Sequence, residues 1–598
     1  MSFAKLLDVP EDVIVYLLSF LFVPDILSFR QTCQSLNQIT NLPVVWICAW
    51  ESQIFQAGYP FPETTFDKGS VRKEGANSVH GGAYYRGWLN IADMPREELE
   101  QRTRHAFQLA KKWLYNPPIH RNSLYYSADQ NPVSAWPSRS IDWTVSPSTS
   151  IVDVRFVRSF RRFFCLGAEG SEQRWMESVL VLSVSKGIWS VITIWEISLS
   201  LDGKDHNPTR PRKCSEWSPK GGIFTGLCLG NDVPSEADLA VSVAFEDHHE
   251  IDLFVISDTG ELLPICTIPA VPLQSQVASG SKEDTYDARP RAMRPMKPMT
   301  LFGTVLAMSD DTACTVLYDW KTGGLAVLEH EEDQAGIWKQ DQIIQVVFAY
   351  RSILVVRARS IHLFPEPELR SISASSFVQA PDPHQFATSG VYSPIAKHSF
   401  GWVDGVSVVP TLHSREISQP KTLKLLVRLQ SDDPWTSNEH SLDLYELLAD
   451  PAVGLEDDND APRPPYLFPP IRTSQVISTR GPLRCTSLVL GKAGTAIWVK
   501  PGDRASHGLL PLDSYPNLID IAQLGVDSIL TSSGHVDRKD SESLVAAVFP
   551  GPLNPSNKVR TQKICANDLK NWTAFDYDEA VGRVVLGDAS GTVHILQL

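Results

Sequence analysis

The most chemically suggestive run in this chain is His248-His249-Glu250, three metal-ligating side-chain types in a row. Zinc needs donors that converge on one point, and neighbouring residues of a strand point to opposite faces. The run leads straight into Ile251 to Ile256 (IDLFVI), which reads as a strand, so the two histidines cannot easily share an ion and a turn is expected. The acidic runs His330 to Asp333 and Glu456 to Asp460 lack the spaced ligands and the glycine of a calcium loop, and read as solvated loops. The sequence contains no phosphate-cradling Gly-rich loop, no dinucleotide fingerprint, no G-x-S-x-G elbow and no H-E-x-x-H. It therefore offers no catalytic residue, no metal ligand and no cofactor site. What remains are two basic clusters. Arg155, Arg158, Arg161 and Arg162 lie in VRFVRSFRRFF; Arg289, Arg291, Arg294 and Lys297 lie in a Pro- and Met-rich stretch. A guanidinium grips phosphate or carboxylate with two parallel bonds. Arg158, Arg162, Arg291 and Arg294 are thus candidate contacts for an acidic or phosphorylated target, unless neighbouring carboxylates of the same domain pair with them.

These clusters must be positioned by something, and from about Ile141 the texture is that of short strands. β-branched and aromatic runs alternate with Gly, Asp, Ser and Pro turns. Seven runs read as the closing strand of a repeated unit: Val191 to Glu196, Ile251 to Ile256, Thr315 to Trp320, Ser360 to Phe364, Ser441 to Leu447, Ala496 to Lys500 and Val593 to Leu598. The last unit, FDYDEAVGRVVLGDASGTVHIL, is the cleanest strand-turn-strand. Three stretches rich in Pro, Ser and charge read as surface insertions: Pro269 to Pro298, Pro365 to Ser399 and Ala449 to Pro482. A run at Leu544 to Phe549 leaves room for an eighth unit. Many short antiparallel strands leave edges that need protection, and a closed ring supplies it. The final unit is expected beside Ile151 to Val157.

Composition sets limits on the whole. A chain of 598 residues exceeds one ordinary core, and 43% hydrophobic residues suffice for packed domains. No apolar run approaches a membrane span, so no membrane is expected. Residues 1–140 hold thirteen basic and thirteen acidic side chains, so the net charge of −15 falls entirely on residues 141–598. Such a body repels nucleic acid on average. The nine cysteines are scattered and never spaced C-x-x-C, which points to reduced thiols in the cytoplasm or nucleus, or both.

The N-terminus is different. Val9 to Leu21 reads VPEDVIVYLLSFL, followed by FVP, DILSFRQTCQSLNQI and a close at Val45-Trp46. Pro10 suits the first position of a helix, Asp8 is placed to cap it, and Glu11 and Asp12 complement its dipole. Val13, Leu17, Leu18 and Leu21 recur at spacings of three and four and read as one face. After the turn, Ile26, Phe29 and Cys33 form a second stripe. The expectation is a helical hairpin too small to bury its own apolar surface, which therefore seeks a partner.

The ordered run of Pro10, Leu17-Leu18, Leu21, Asp25-Ile26, Cys33 and Trp46 resembles an F-box, with Val9, Thr32 and Val45 departing from the family's Leu, Val and Leu. That resemblance covers about forty residues. It implies docking to the Skp adaptor of cullin-type ubiquitin ligases through Val9, Pro10, Val13, Leu17, Leu18, Leu21, Ile26, Leu27, Phe29 and Trp46. The strand-rich body resembles a degenerate WD-repeat β-propeller, although no Trp-Asp dipeptide occurs and the repeat spacing is irregular. The expected fold is mixed: an all-α F-box at 1–55, a linker at 56–140 with a spacer helix near 94–114 capped by Asp93, and an all-β propeller at 141–598, of seven blades with six to eight allowed. The expected function is a non-catalytic substrate receptor that binds the adaptor, through it a cullin, and with the propeller an unidentified target. A non-ligase interaction scaffold and a propeller-based enzyme are the alternatives.

Overall fold

Proline at position 10 and two acids after it start the first helix. α1 spans Glu11–Leu18, with Pro10 as the capping residue whose carbonyl accepts from the amides of Val13 and Ile14. Proline therefore sits one position before the one expected, still where no amide hydrogen is needed. The computed structural model describes residues 9–61, 94–114, 139–166, 174–200, 210–230, 235–269, 296–310, 314–329, 342–371, 390–411, 419–430, 439–453, 464–479, 481, 483–502, 541–569 and 571–598. Asp8 and Asp93 lie outside them, so neither expected cap is tested.

The N-terminal unit is more than a hairpin. After α1 come α2 (Val23–Arg30), α3 (Gln34–Thr40) and α4 (Pro43–Ala49), continued by a wider π-helical turn over Trp50–Phe55. Pro24 and Pro43 occupy first-turn positions, which tolerate the missing donor. The expected single face of α1 splits. Ile14 and Leu18 turn inward onto Ile26, Leu36, Trp46, Trp50 and Ile54, while Val13 and Leu17 face solvent. Trp46 does not end the unit but fills its centre, donating its indole N–H to the Thr40 carbonyl at 3.0 Å under the guanidinium of Arg30.

α5 (Arg96–Leu114) begins with Glu97 and Glu98 and ends with Lys111 and Lys112, as the helix dipole prefers. It belongs to two cores at once. Leu99 and Ala106 close the N-terminal core, and Glu100 takes both arms of Arg30 at 2.8 and 2.9 Å. One or two turns on, Leu109, Ala110 and Trp113 join Tyr577, Leu553, Ala493 and Leu598 of the strand domain.

The strand domain is a ring of seven sheets, antiparallel among the described strands except that Val391–Tyr392 runs parallel to Gly324–Leu328. Blades 1 to 6 span 150–217, 223–269, 297–328, 343–399, 403–479 and 488–567. Blade 7 takes three strands from 572–597 and its outermost from Arg139–Thr144, which pairs with Thr592–Gln597. Closure thus fastens the two ends of the domain in one sheet. The last blade also packs on the first, as expected: Ile151, Val154 and Phe156 share a cluster with Ala574, Val585, Val593 and Ile595.

Every junction between blades carries a side-chain to backbone bond. Ser190 Oγ accepts from Phe224 N (3.1 Å), Ser242 Oγ donates to Met296 O (2.9 Å), and Thr300 Oγ1 donates to Val346 O. Gln345 accepts from Val408 N (3.2 Å), Ser407 from Leu490 N (3.0 Å), Glu579 from Ala493 N (3.0 Å), and Asp576 from Phe156 N (2.9 Å). Buried amides left by the curvature of the ring are thereby satisfied.

Several assignments change. Six of the seven expected closing strands are third strands, each followed by a fourth; Ala496 to Lys500 is instead the second strand of blade 6. Leu544 to Phe549 is no eighth blade but covers the third strand of that same sheet, separated from its partner by about forty residues of insertion. Within the expected insertions lie the outer strands of blades 4 and 5, Ala396–Ser399 and Ile471–Thr479, and the first strand of blade 3 takes in Lys297 and Pro298.

Candidate functional site

Among the described residues, large apolar side chains are exposed together on α1 and on one rim of the ring. The first is α1 and the turn after it. A helix of two turns carries apolar residues on both sides here, and only Ile14 and Leu18 are needed inside. Val13, Tyr16, Leu17, Phe20 and Phe22 stand outside; Tyr16 is 65% exposed, Phe20 67% and Phe22 61%. Tyr16 and Phe20 meet edge to face at 5.0 Å between ring centres. Val13, Tyr16, Leu17 and Phe20 follow the i, i+3, i+4, i+7 rule of one helical face. A contiguous patch of this kind marks an interaction surface.

Of the ten residues assigned to docking from the sequence, Pro10, Val13 and Leu17 are exposed, and Val9, Leu21, Leu27 and Phe29 are half-buried. Leu18, Ile26 and Trp46 are buried inside the unit and act by holding it together. Tyr16, Phe20, Phe22 and the half-exposed Val44 are exposed beside them and were not among the ten, although the period-3.6 stripe through Tyr16 and Phe20 is present in the sequence.

The second surface lies on the ring. α5 docks at the rim formed by the first-to-second-strand turns. Trp113 meets Tyr577 edge-on at 6.1 Å, Lys112 Nζ donates to the Leu598 carbonyl at 3.0 Å, and Arg560 donates to the Leu114 carbonyl at 2.9 Å. Burial holds the Lys112 amine below the usual lysine range. Gly582 has φ +65°, and a Cβ there would come within 2.4 Å of Leu109 Cδ1, so a side chain would strain the backbone and force Leu109 to shift.

The opposite rim is free of α5. It carries the second-to-third-strand turns and the crossovers between blades. There the Lys186–Ser190 turn projects Ile188, 91% exposed, and Trp189, 49% exposed, with Val152 and Ile223 exposed alongside. Ser190 fastens this turn to blade 2 through Phe224 N, and Ser218 donates to the Ser190 carbonyl at 2.8 Å. Trp217 stacks on Phe224 (5.3 Å, 4°) and Phe245 on His248 (4.6 Å, 9°) in the adjoining turns. His248 is bonded to Asp247 at 2.6 Å; that bond holds the Asp247 carboxyl below its ordinary range. The His-His-Glu run is thus a turn beside an aromatic rim, with His249 starting the strand.

The basic clusters lie elsewhere. Arg158 and Arg162 belong to the strand Ser150–Leu166, on the part that runs past Val157 toward the rim where α5 docks. Arg155 of the same cluster is paired with Asp153 at 2.9 Å, which raises its pKa. Arg291 and Arg294 fall outside the described residues.

The helical unit also has a sequence relative. Residues 6–48 match the F-box domain family. The chain carries an F-box domain. The chain is also similar to solved structures: a chain of the mitotic checkpoint complex (9% identity, 81% of this chain and 99% of that one, TM-score 0.34), the Myceliophthora thermophila Cps50 (Swd1) β-propeller domain (11%, 77% and 100%, 0.36), and a chain of the Chaetomium thermophilum Polycomb Repressive Complex 2 bound to GSK126 (12%, 77% and 97%, 0.37). No curated protein matches the chain. An F-box domain followed by a seven-bladed β-propeller is the architecture of an adaptor-type recognition protein. Among the described residues no helix is long and apolar enough to cross a membrane, and no group of His, Cys, Asp or Glu is placed to hold a metal ion.

Proposed function

We propose that this chain is the substrate-recognition subunit of a Skp–cullin-type ubiquitin ligase, working in the cytoplasm, the nucleus or both. The observation that carries the reading is the outward stripe Val13, Tyr16, Leu17, Phe20 on the F-box helix, which the domain leaves unburied after completing its own core. Skp-type adaptor binding covers that stripe and brings the cullin with it. Burying two or three such side chains contributes on the order of 1.5–3 kcal/mol each before association costs. The target binds the rim opposite α5, through Ile188, Trp189 and the aromatic turns beside them, where a rigid ring presents loops. The chain performs no bond chemistry in this role. It holds the target at a fixed distance from the transfer machinery, because α5 is locked to both domains and the arm cannot swing.

Two variants of the full chain separate the parts. Leu17→Asp with Phe20→Asp should lose the adaptor and the cullin in affinity purification while keeping the target. Ile188→Asp with Trp189→Ala should do the reverse. A wild type that recovers no adaptor sinks the ligase reading and favours the non-ligase scaffold; an α1 variant that still recovers it removes the stripe from the interface. A rim variant that still recovers every target returns attention to the basic strand around Arg158 and Arg162.

A further inference from the structure

The turn Lys186–Ser190 is braced from both sides. Within it, Gly187 N donates to the Trp189 carbonyl at 3.1 Å. Toward blade 2, the buried Ser190 accepts from Phe224 N at 3.1 Å, and its carbonyl accepts the Ser218 hydroxyl at 2.8 Å. Toward blade 7, a Cβ on Gly187 would stand 3.1 Å from Thr149 Cγ2, and Thr149 is itself bonded to the Ser146 carbonyl at 2.9 Å. The crossover that carries Ser218 is fixed as well. Gly222 N donates to the Pro219 carbonyl at 3.1 Å, and a Cβ on Gly222 would meet Val243 Cγ1 at 2.5 Å. The tip of this braced turn is nevertheless spent outward, on Ile188 and Trp189.

A linear segment is bound in a groove or along an unpaired sheet edge. The Lys186–Ser190 turn offers no such edge, since it joins the second and third strands of its blade. For the same reason it stands away from the channel mouth, which the first strands line. It is a fixed projection, and a fixed projection fits a cavity. The charges beside it have a sign. Lys186 and Lys220 are exposed and make no ion pair among the described residues, in a chain of net charge −15. On the facing turn of blade 2, Asp247 is bonded to His248 at 2.6 Å and Glu250 lies 3.8 Å from the other ring nitrogen, which leaves Glu246 as the free acid there.

We propose, on the reading that this rim captures the target, that the partner is a folded domain with an apolar pocket and an acidic lip, into which Ile188 and Trp189 insert. An aromatic and an aliphatic anchor seated in a pocket concentrate binding energy at a few atoms. Ser190 and Ser218 are positioning residues. They act through the turn, holding the anchors in the bound geometry before encounter, so little conformational freedom is lost on association. Lys186 and Lys220 face the lip and speed the approach.

An aliphatic diazirine amino acid in place of Ile188 in the full chain tests the kind of partner. Photolysis in cell extract, followed by mapping of the attached residues, should give apolar residues from separate segments of one partner sequence, and unfolding that partner should abolish the crosslink. With the purified partner, Ser218→Ala should speed amide exchange at Gly187 to Trp189 and weaken binding about 3- to 10-fold at an unchanged melting temperature, and Ser218→Thr should restore both. Lys186→Glu with Lys220→Glu should slow association about tenfold. Crosslinks confined to one unbroken segment, and reproduced by short overlapping peptides, overturn the folded-partner proposal and leave the rim reading standing. Unchanged exchange or unchanged binding in Ser218→Ala overturns the positioning role. No crosslinked protein, together with an Ile188→Asp, Trp189→Ala chain that recovers the same targets as the wild type, overturns the rim reading and the proposal with it.

Discussion

The F-box domain and the propeller dispose of apolar surface in opposite ways. The ring has two neighbours for each sheet, so among the described residues nearly every large apolar side chain of its second and third strands is covered, and what it exposes sits on turns, on outer strands and near the starts of first strands, as Val152 and Ile223 do. The F-box domain wraps a small core around Trp46 and still leaves a row of aromatic and aliphatic side chains on the outer side of α1. A ring can close on itself; a layer of four short helices cannot, and its surplus stays exposed. The same contrast explains α5. It supplies Leu99 and Ala106 to the smaller core, and it spends its other end on the ring.

That contrast can be broken or sharpened by substitution. The largest effect is expected from Trp46→Ala, which empties the centre of the F-box domain and leaves the Thr40 carbonyl with Arg30 as its side-chain donor. It should cost about 3–5 kcal/mol, enough to unfold that domain, while the ring's calorimetric transition stays in place. If the ring melts with it, the two regions form one cooperative unit. Gly582→Val comes next. A side chain there strains a left-handed backbone and pushes against Leu109, at a cost of roughly 2–3 kcal/mol, and should speed proteolysis beyond Leu114. Asp576→Ala removes the acceptor for the Phe156 amide at the blade 7 to blade 1 junction. A loss of about 1–3 kcal/mol is expected from the ring's transition alone.

The smallest effect concerns pH. Glu579, at the junction of blades 6 and 7 beneath α5, has its carboxyl raised above the ordinary glutamate range, mainly by burial and against the hydrogen bonds from Thr495 and Ala493. Between the unfolded and the folded values the folded chain holds a proton that the unfolded chain has released. Stability from this group is therefore complete below the unfolded value and declines as pH rises through the folded one. Glu579→Gln should flatten that part of the ring's stability profile, measured by denaturant titration across mildly acidic pH. An unchanged slope would remove Glu579 from the junction's energetics.

How much of this was readable depended on whether a feature left its mark locally. The order of Pro10, Leu18, Ile26 and Trp46 identifies the F-box, because a short motif fixes its own helices. Its expected single face divides, with Val13 and Leu17 outward and Leu18 inward, since α1 is apolar on both sides and periodicity cannot say which side the domain's own core takes. The third strands of the blades were legible as apolar and aromatic runs. The fourth strands were not, because an outer strand is half-exposed and polar, as in RKCSEW and AKHS. The false eighth blade arose from an insertion that parts two strands paired in space, Thr495–Lys500 and Glu542–Val548. The charge pattern of α5 announced a helix, yet its anchorage is a contact between Lys112 and Leu598, which no local pattern encodes. The aromatic rim around Trp189 likewise emerges only when blade 1 is set beside blade 2.

The central claim is that the exposed stripe of α1 is an adaptor-binding surface. The most direct measurement is a calorimetric titration of purified Skp-type adaptor into the full chain and into its Leu17→Asp, Phe20→Asp variant. The wild type should bind in the micromolar range or tighter, and the variant should bind about 100-fold more weakly or not at all, with its melting profile intact. Equal binding by both chains, or no binding by the wild type, would contradict the account.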